Sequence, residues 1–231
     1  MEDQDMKKAV SLLLALTMVF TLCGCGSSKK AFNISKDAYN KITEAYEITE
    51  DLGSDIYEAW RLAINEKKSV KGSGTKYLAE ELSLTEDELN EGVAVALAEI
   101  DGNDWNEIDD TKKDNYRDTV KSWKSSVFSY YSDDLFSFCV KCVIGAYKAN
   151  GEIDKAQVTL DEAKSLMKEM SEKYSDYEHY PNLKGYYTTT NSFFDFCQNP
   201  TGSFNQLVDT INDYKNEARD YRADLDYIFE D

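Results

Sequence analysis

Ile34-Ser35-Lys36-Asp37-Ala38-Tyr39-Asn40-Lys41-Ile42-Thr43-Glu44-Ala45 opens the stretch that decides the fold. Between Ile34 and Lys68 the apolar positions are Ile34, Ala38, Ile42, Ala45, Leu52, Ile56, Ala59, Ala63 and Ile64. Steps of three and four set these on one face of a helix, with Lys, Glu and Asp on the other. The spacing predicts a helix over 34–68 with Ser35 as its N-cap. Gly53 is expected to weaken or bend it, at about 1 kcal/mol relative to alanine. Lys71-Gly72-Ser73-Gly74-Thr75 then reads as a mobile loop that ends it.

The same reading extends along the chain. Thr85 and Glu88 form a capping box, with Leu84 placed to staple onto Leu89, and the helix they open stops at Asp101-Gly102-Asn103. A long helix is predicted over 111–148, with Tyr116, Val120, Trp123, Val127, Tyr131, Leu135, Phe138, Cys142 and Ala146 on its core face and Asn150-Gly151 as its stop. Thr159 with Glu162 reads as the start of a helix that ends before Pro181 and carries Leu166, Met167, Met170 and Tyr174. Ser203 with Gln206 opens the last, which carries Leu207, Ile211, Tyr214, Ala218, Tyr221, Leu225 and Ile228. No period-2 alternation lasts six residues, and there is no repeat of fixed length. The expectation is an all-α fold: an elongated antiparallel helical bundle of four principal helices plus one or two short ones, joined by long connections at 69–84 and 181–202.

Composition narrows the function. The 231 residues are enough for one ordinary domain with a sizeable core. Two prolines and 11 glycines leave too little turn chemistry for a many-stranded sandwich or barrel. A single histidine excludes any site built on two or more within one chain. The formal charge of −18 argues against binding nucleic acid through its phosphates.

At the N-terminus, Met6-Lys7-Lys8 is a basic start followed by fourteen mostly apolar residues, Ala9 to Leu22. That run has the length of a secretory h-region and is short for a membrane span. The acidic lead Met1 to Asp5 is foreign to such a segment and points to translation starting at Met6. Leu22-Cys23-Gly24-Cys25 follows, and it resembles the lipobox of bacterial lipoproteins: leucine at −3, a small residue at −1, then cysteine. The resemblance covers about thirty residues and implies an address, not an activity. It implies a signal peptide over 1–24, a diacylglycerol on Cys25 and a lipidated tether over 25–34, leaving 35–231 as one helical domain on the outer face of a bacterial membrane. Cys23 departs from the usual residue at −2. Two acyl chains would hold the chain stably. Its acidic body is repelled by anionic lipid, so the anchor must supply the attachment.

Candidate chemistry is sparse. Cys139 and Cys142 form a C-x-x-C, but deep in a predicted helix rather than at its start, and no second pair completes a zinc site, so buried thiols are the reading. Pairing of Cys197 with either stays open. Glu99, Asp101, Asp104, Glu107, Asp109 and Asp110 are dense carboxylates, yet Asn106 and Lys112 occupy the positions where an EF-hand needs glycine and glutamate. Lys71 to Lys76 lacks the spacing of a phosphate loop. No nucleophile elbow or paired-histidine motif is present, so no catalytic residue, metal ligand or cofactor is assigned.

The least ordinary stretch runs from Tyr174 to Phe196, with five tyrosines, a histidine and three phenylalanines. Tyr177, His179, Tyr180, Tyr186 and Tyr187 are the candidate ligand patch, since tyrosine offers both apolar area and a hydroxyl to a sugar or peptide. The competing reading is an aromatic plug closing one end of the bundle. The expectation is a non-enzymatic cell-surface lipoprotein presenting an acidic bundle for interaction or envelope support, with the membrane and an envelope protein or glycan as partners. A ligand-binding lipoprotein using residues 174–196 for a glycan, peptide or small solute is the alternative.

Overall fold

The computed structural model describes the backbone of residues 2–229 and the side chains of residues 28–229. The signal-peptide and lipobox readings, Cys25 among them, rest on side chains outside the described residues. Among those described, the regular elements are all helices, and none is long and apolar enough to cross a membrane. They are α1 (Glu2–Asn65), α2 (Lys67–Ser73), α3 (Thr75–Glu81), α4 (Glu86–Ile100), α5 (Asp110–Trp123), α6 (Ser126–Tyr130), a 3-10 turn (Ser132–Asp134), α7 (Leu135–Ala149), α8 (Glu152–Lys173), α9 (Tyr180–Gln198) and α10 (Phe204–Phe229). The all-α bundle expected from the periodicity is the fold.

The part of α1 after residue 30 is the spine, because its buried positions take in far more than one stripe. Ala38, Ile42, Ala45, Leu52, Ile56 and Ala59 are fully buried, and Tyr39, Tyr46, Trp60 and Leu62 are nearly so. A helix apolar over that much of its circumference needs partners on several sides, and α7, α8, α9 and α10 supply them. Side-chain pairs give their directions. Lys41 meets Glu162 and Ser35 meets Met170, so α8 runs antiparallel to α1. Arg222 meets Glu47 and Lys215 meets Ser54, so α10 does too. Tyr147 reaches Asp55 and Phe136 stacks on Trp60, which makes α7 antiparallel along the upper half. Tyr186 lies by Thr43 and Phe193 by Gly53, so α9 runs parallel to the spine. Beyond α7, α4 packs on α7 and α5 on α4.

The caps at Thr85 and Ser203 form as expected. The Glu88 N–H donates to Thr85 Oγ1 at 3.2 Å while the Thr85 N–H donates to Glu88 Oε2 at 2.8 Å, and the Ser203 N–H donates to Gln206 Oε1 at 2.8 Å. Elsewhere the local expectations give way. Ser35 is no cap: it is buried inside α1, its hydroxyl 3.5 Å from the Met170 sulfur. Thr159 is buried inside α8, which starts seven residues earlier because Gly151, at φ +84°, turns the chain directly into it. Residues 69–84 are two short helices rather than a mobile loop, pinned by buried Val70 and Leu78 and broken at Gly74. The aromatic connection over 181–202 is α9, with Pro181 in its first turn. The single helix over 111–148 is three, because Lys124 adopts φ +49° and Ser132-Asp133-Asp134 turns the chain again. The three-and-four spacing survives those breaks because Val120, Val127, Leu135 and Phe138 still face one core.

Gly53 is not a weak point in α1. A methyl group there would sit 2.6 Å from Phe193 Cζ, so the glycine admits an aromatic ring of α9. The tightest crossing joins α4 and α7. A β-carbon at Gly92 would overlap the Cys142 carbonyl and lie 2.7 Å from the Ala146 nitrogen, and one at Gly145 would lie 2.5 Å from the Gly92 carbonyl oxygen. The two backbones touch where neither carries a side chain.

Asp55 is the one buried acid of the core. It accepts from the Ser83 N–H at 3.1 Å and the Tyr147 hydroxyl at 3.0 Å, which ties α1 to the α3–α4 connection and to α7. Burial pushes its carboxyl above the ordinary value, and these two hydrogen bonds pull it only part of the way back.

Two outcomes follow from this packing. Gly92→Ala should cost about 1–3 kcal/mol through overpacking, although alanine is the better helix former by about 1 kcal/mol. A chemical-denaturation midpoint at or above wild type would show that the crossing is loose. For Asp55, the raised folded-state value means that the folded chain holds the proton more tightly than the unfolded one. Its contribution is therefore most favourable below the unfolded value of about 3.9 and is lost as pH rises through the folded value. Asp55→Asn keeps an acceptor for Ser83 and carries no charge, so its stability relative to wild type should increase with pH from about 4 upward. A difference in urea midpoint that stays flat with pH would refute this.

Candidate functional site

The residues singled out in the aromatic segment separate into three environments. Tyr186 is 0% exposed, its ring 6.2 Å from Tyr39 and 5.9 Å from Tyr46, with its hydroxyl at 3.5 Å from Thr43 Oγ1. Burial pushes that phenol up to about 12. It is core, so it leaves the proposed ligand patch. Tyr187 and Tyr180 are half-buried along α9, and the Tyr186-Tyr187 pair splits between core and surface as adjacent helical positions must. Tyr177 and His179 meet edge-on at 5.3 Å in the turn before α9, where His179 Nε2 also lies 3.2 Å from Glu178 Oε1. Phe193 and Phe194 are buried, Phe193 stacked on Tyr214 at 5.4 Å. The plug reading describes Tyr186, Phe193 and Phe194, and only Tyr177 and His179 keep a shared surface.

Of these two, Tyr177 lines a groove of about 510 Å³ with Ser28, Ala31, Glu172 and Tyr174. It lies at the end of the bundle where α1 leaves residue 28 and where Phe32 packs on Phe229 at 5.6 Å. A second groove, about 430 Å³, opens over Phe136 and Trp60, stacked at 5.0 Å, and is rimmed by Lys141, Gln198, Asn199 and Thr201.

Cys139, Cys142 and Cys197 are free and buried, and desolvation raises all three thiols, which disfavours the nucleophilic thiolate. The carboxylates of 99–110 serve the local fold. Asp109 caps α5 by accepting from the Lys112 N–H at 2.9 Å, Asp104 accepts from the Asn106 N–H at 2.9 Å, and Asp101 accepts from the Tyr116 hydroxyl at 3.0 Å. Among the described residues no three side chains come together as a metal site.

A groove of about 650 Å³ lies at the other end of the spine, between α3, the start of α4, and α5. Lys76, Arg117, Lys121 and Lys124 line it, with Glu86, Asp87 and Glu91 along its α4 wall. Arg117 forks onto Glu91 and also pairs with Asp114 at 3.0 Å, and its guanidinium lies 5.4 Å from the Trp105 ring centre. The groove exists because two helix breaks meet back to back: a methyl group on Gly74 would lie 3.0 Å from Ser125 Cα. Beside it stand Trp123, 40% exposed, and Tyr130, 72% exposed, with ring centres 5.6 Å apart. Whole-chain charge conceals this site, since −18 averages over a local excess of lysine. Charge counted in short windows would have found it. The exposed ring of Trp123 was placed on the core face because the break at Lys124 has no glycine to announce it.

Comparison with protein-family models, with curated proteins and with solved structures finds no match to this chain.

The split of the aromatic segment is directly measurable. Tyr186→Ala should cost about 3–5 kcal/mol through the cavity it leaves. Tyr177→Ala should cost far less, because its ring is only partly covered. Equal losses in denaturant would contradict the separation.

Proposed function

We propose that this chain is a non-enzymatic lipoprotein of the outer face of a bacterial membrane, anchored through Cys25, whose helical bundle holds its far end away from the bilayer to meet an envelope partner. The observation that carries this reading is the opposition of the two ends. Residues 28–32, within the expected tether, lie against the α8–α9 turn and Phe229, and the spine then rises from Ala31 to Asn65, about 50 Å at 1.5 Å per residue. Everything contributed by α2, α3, α5 and α6 collects beyond the upper half of that spine. Such a body acts as a spacer with a presented face.

Binding of a small ligand beside residues 174–180 is the second reading, favoured by the groove that Tyr177 shares with Tyr174. Burial of Tyr186 removes the tyrosine around which a broader platform would have been built.

The anchor is tested in the cell. Cys25→Ala should leave an unprocessed or shed protein, whereas mass spectrometry of the membrane-extracted wild type should find a diacylglycerol on Cys25. An unmodified Cys25 in membrane-extracted protein would end the proposal.

A further inference from the structure

We infer that the far end of the bundle binds an anionic glycopolymer whose phosphates are neutralised by the lysines of α2, α3 and α5 and whose sugar rings stack on Trp123 and Tyr130.

The first support is charge segregation. Helices α2, α3 and α5 together with Lys124 carry nine Lys and Arg against five Asp and Glu, while the rest of the chain carries seventeen against thirty-nine. The fold brings those elements together, with α2 on α6, α3 on α4 and α4 on α5. A basic cap therefore stands on an acidic body. Among the described residues, Lys67, Lys68, Lys71, Lys76 and Lys124 form no ion pair, so their charges are open to a ligand. Lys121 pairs only with Asp118, at 3.1 Å and on the surface, an interaction that an incoming phosphate displaces at little cost. On the α4 wall, Glu91 is already neutralised by Arg117, and Glu86 and Asp87 sit in the first turn of α4, where the helix end favours them.

The second support is the neighbouring aromatic pair. Two large rings left exposed at 5.6 Å from each other, tilted by 56°, offer the apolar faces that sugar rings stack upon. Lys124 follows Trp123 in the chain, lines the groove and holds φ +49°, a conformation that lysine rarely adopts. Strain of this kind persists where the surroundings enforce it and concentrates at working sites.

Polymer rather than single ion follows from the spread of the cations over three helices and a groove of about 650 Å³. Polymer rather than lipid headgroup follows from the distance to the tether, and this step rests on the anchored orientation proposed above. The acidic body repels the same polymer elsewhere and so directs it to the cap.

The test uses the detergent-extracted full chain and poly(glycerol phosphate) as probe, with helical circular dichroism confirming that each variant is folded. Binding should be measurable at low salt and weaken steeply as salt rises, as expected when bound counterions are released. Lys76→Glu should lower affinity at least tenfold, while Lys164→Glu, the same charge change on exposed α8, should barely alter it. Lys124→Gly removes the ammonium while relieving the backbone strain, so a several-fold loss of affinity without loss of stability supports the site. Trp123→Ala should weaken glycosylated polymer several-fold more than the bare polyphosphodiester. The proposal is overturned by no binding at low salt, by equal effects of the Lys76 and Lys164 variants, or by inorganic phosphate competing at millimolar concentration. Phosphatidylglycerol vesicles or duplex DNA binding as tightly, with the same lysine dependence, would overturn it too. None of these readouts requires a lipid on Cys25, so failure here and failure of the anchor are told apart.

Discussion

A carboxylate removed from water must be held by hydrogen bonds, and Asp55 is where that requirement organises this bundle. Its two oxygens take the Ser83 N–H and the Tyr147 hydroxyl, groups 28 and 92 residues away in sequence. Apolar contacts tolerate sliding, because one methyl packs nearly as well as the next. A buried charge with two specified donors does not, since leaving either donor unmade costs on the order of 1–3 kcal/mol. The heights of α7 and of the lead into α4 along the spine are thereby set together. Once both are set, α4 and α7 have one place to cross.

At that place the sequence puts Gly92 against Gly145. The backbones approach so closely that Cys142 and Ala146, on the next turns of α7, become part of the contact surface. This accounts for the chemistry that the Cys139-x-x-Cys142 pair lacks. Its thiols fill space beside a helix crossing, where the absence of water that makes them good packing units also keeps them protonated. The far end of the molecule inherits its position from this crossing, since α5 rests on α4 and α6 on α2.

Much of this was legible in the residues. The spine, the box at Thr85 and Glu88, the box at Ser203 and Gln206, and the stop at Gly151 are local signals, and local signals survive folding. The failures share one cause. Ser35 and Thr159 look like caps because serine and threonine favour helix ends, yet both are buried inside helices, Ser35 with its hydroxyl against the Met170 sulfur. Gly53 looks like a weak point because propensity describes an isolated helix, and its use appears only when a second helix arrives. Lys124 has no signature at all, because its conformation is imposed by tertiary structure. For the candidate surface, residue type grouped Tyr177 with Tyr186, and the fold separates them into a half-buried and a fully buried position. The basic end was present in the sequence as plainly as the aromatic run, but only as two distant windows that the fold joins.

Under the anchored orientation proposed above, the arrangement of charge would have a consequence for how this body stands beside a membrane. Held by one end, a uniformly acidic rod would be pushed outright from an anionic surface, with no preference about which face turns outward beyond what the tether dictates. Concentrating the lysines at the other end changes that balance. Screening sets how far that balance reaches: with a Debye length of about 8 Å at physiological salt, a cap about 50 Å up the spine would scarcely feel the bilayer and would be left to a polyanion above it. In the proposed orientation the length of α1 would set the height at which the lysines stand, so charge segregation and helix length would act together.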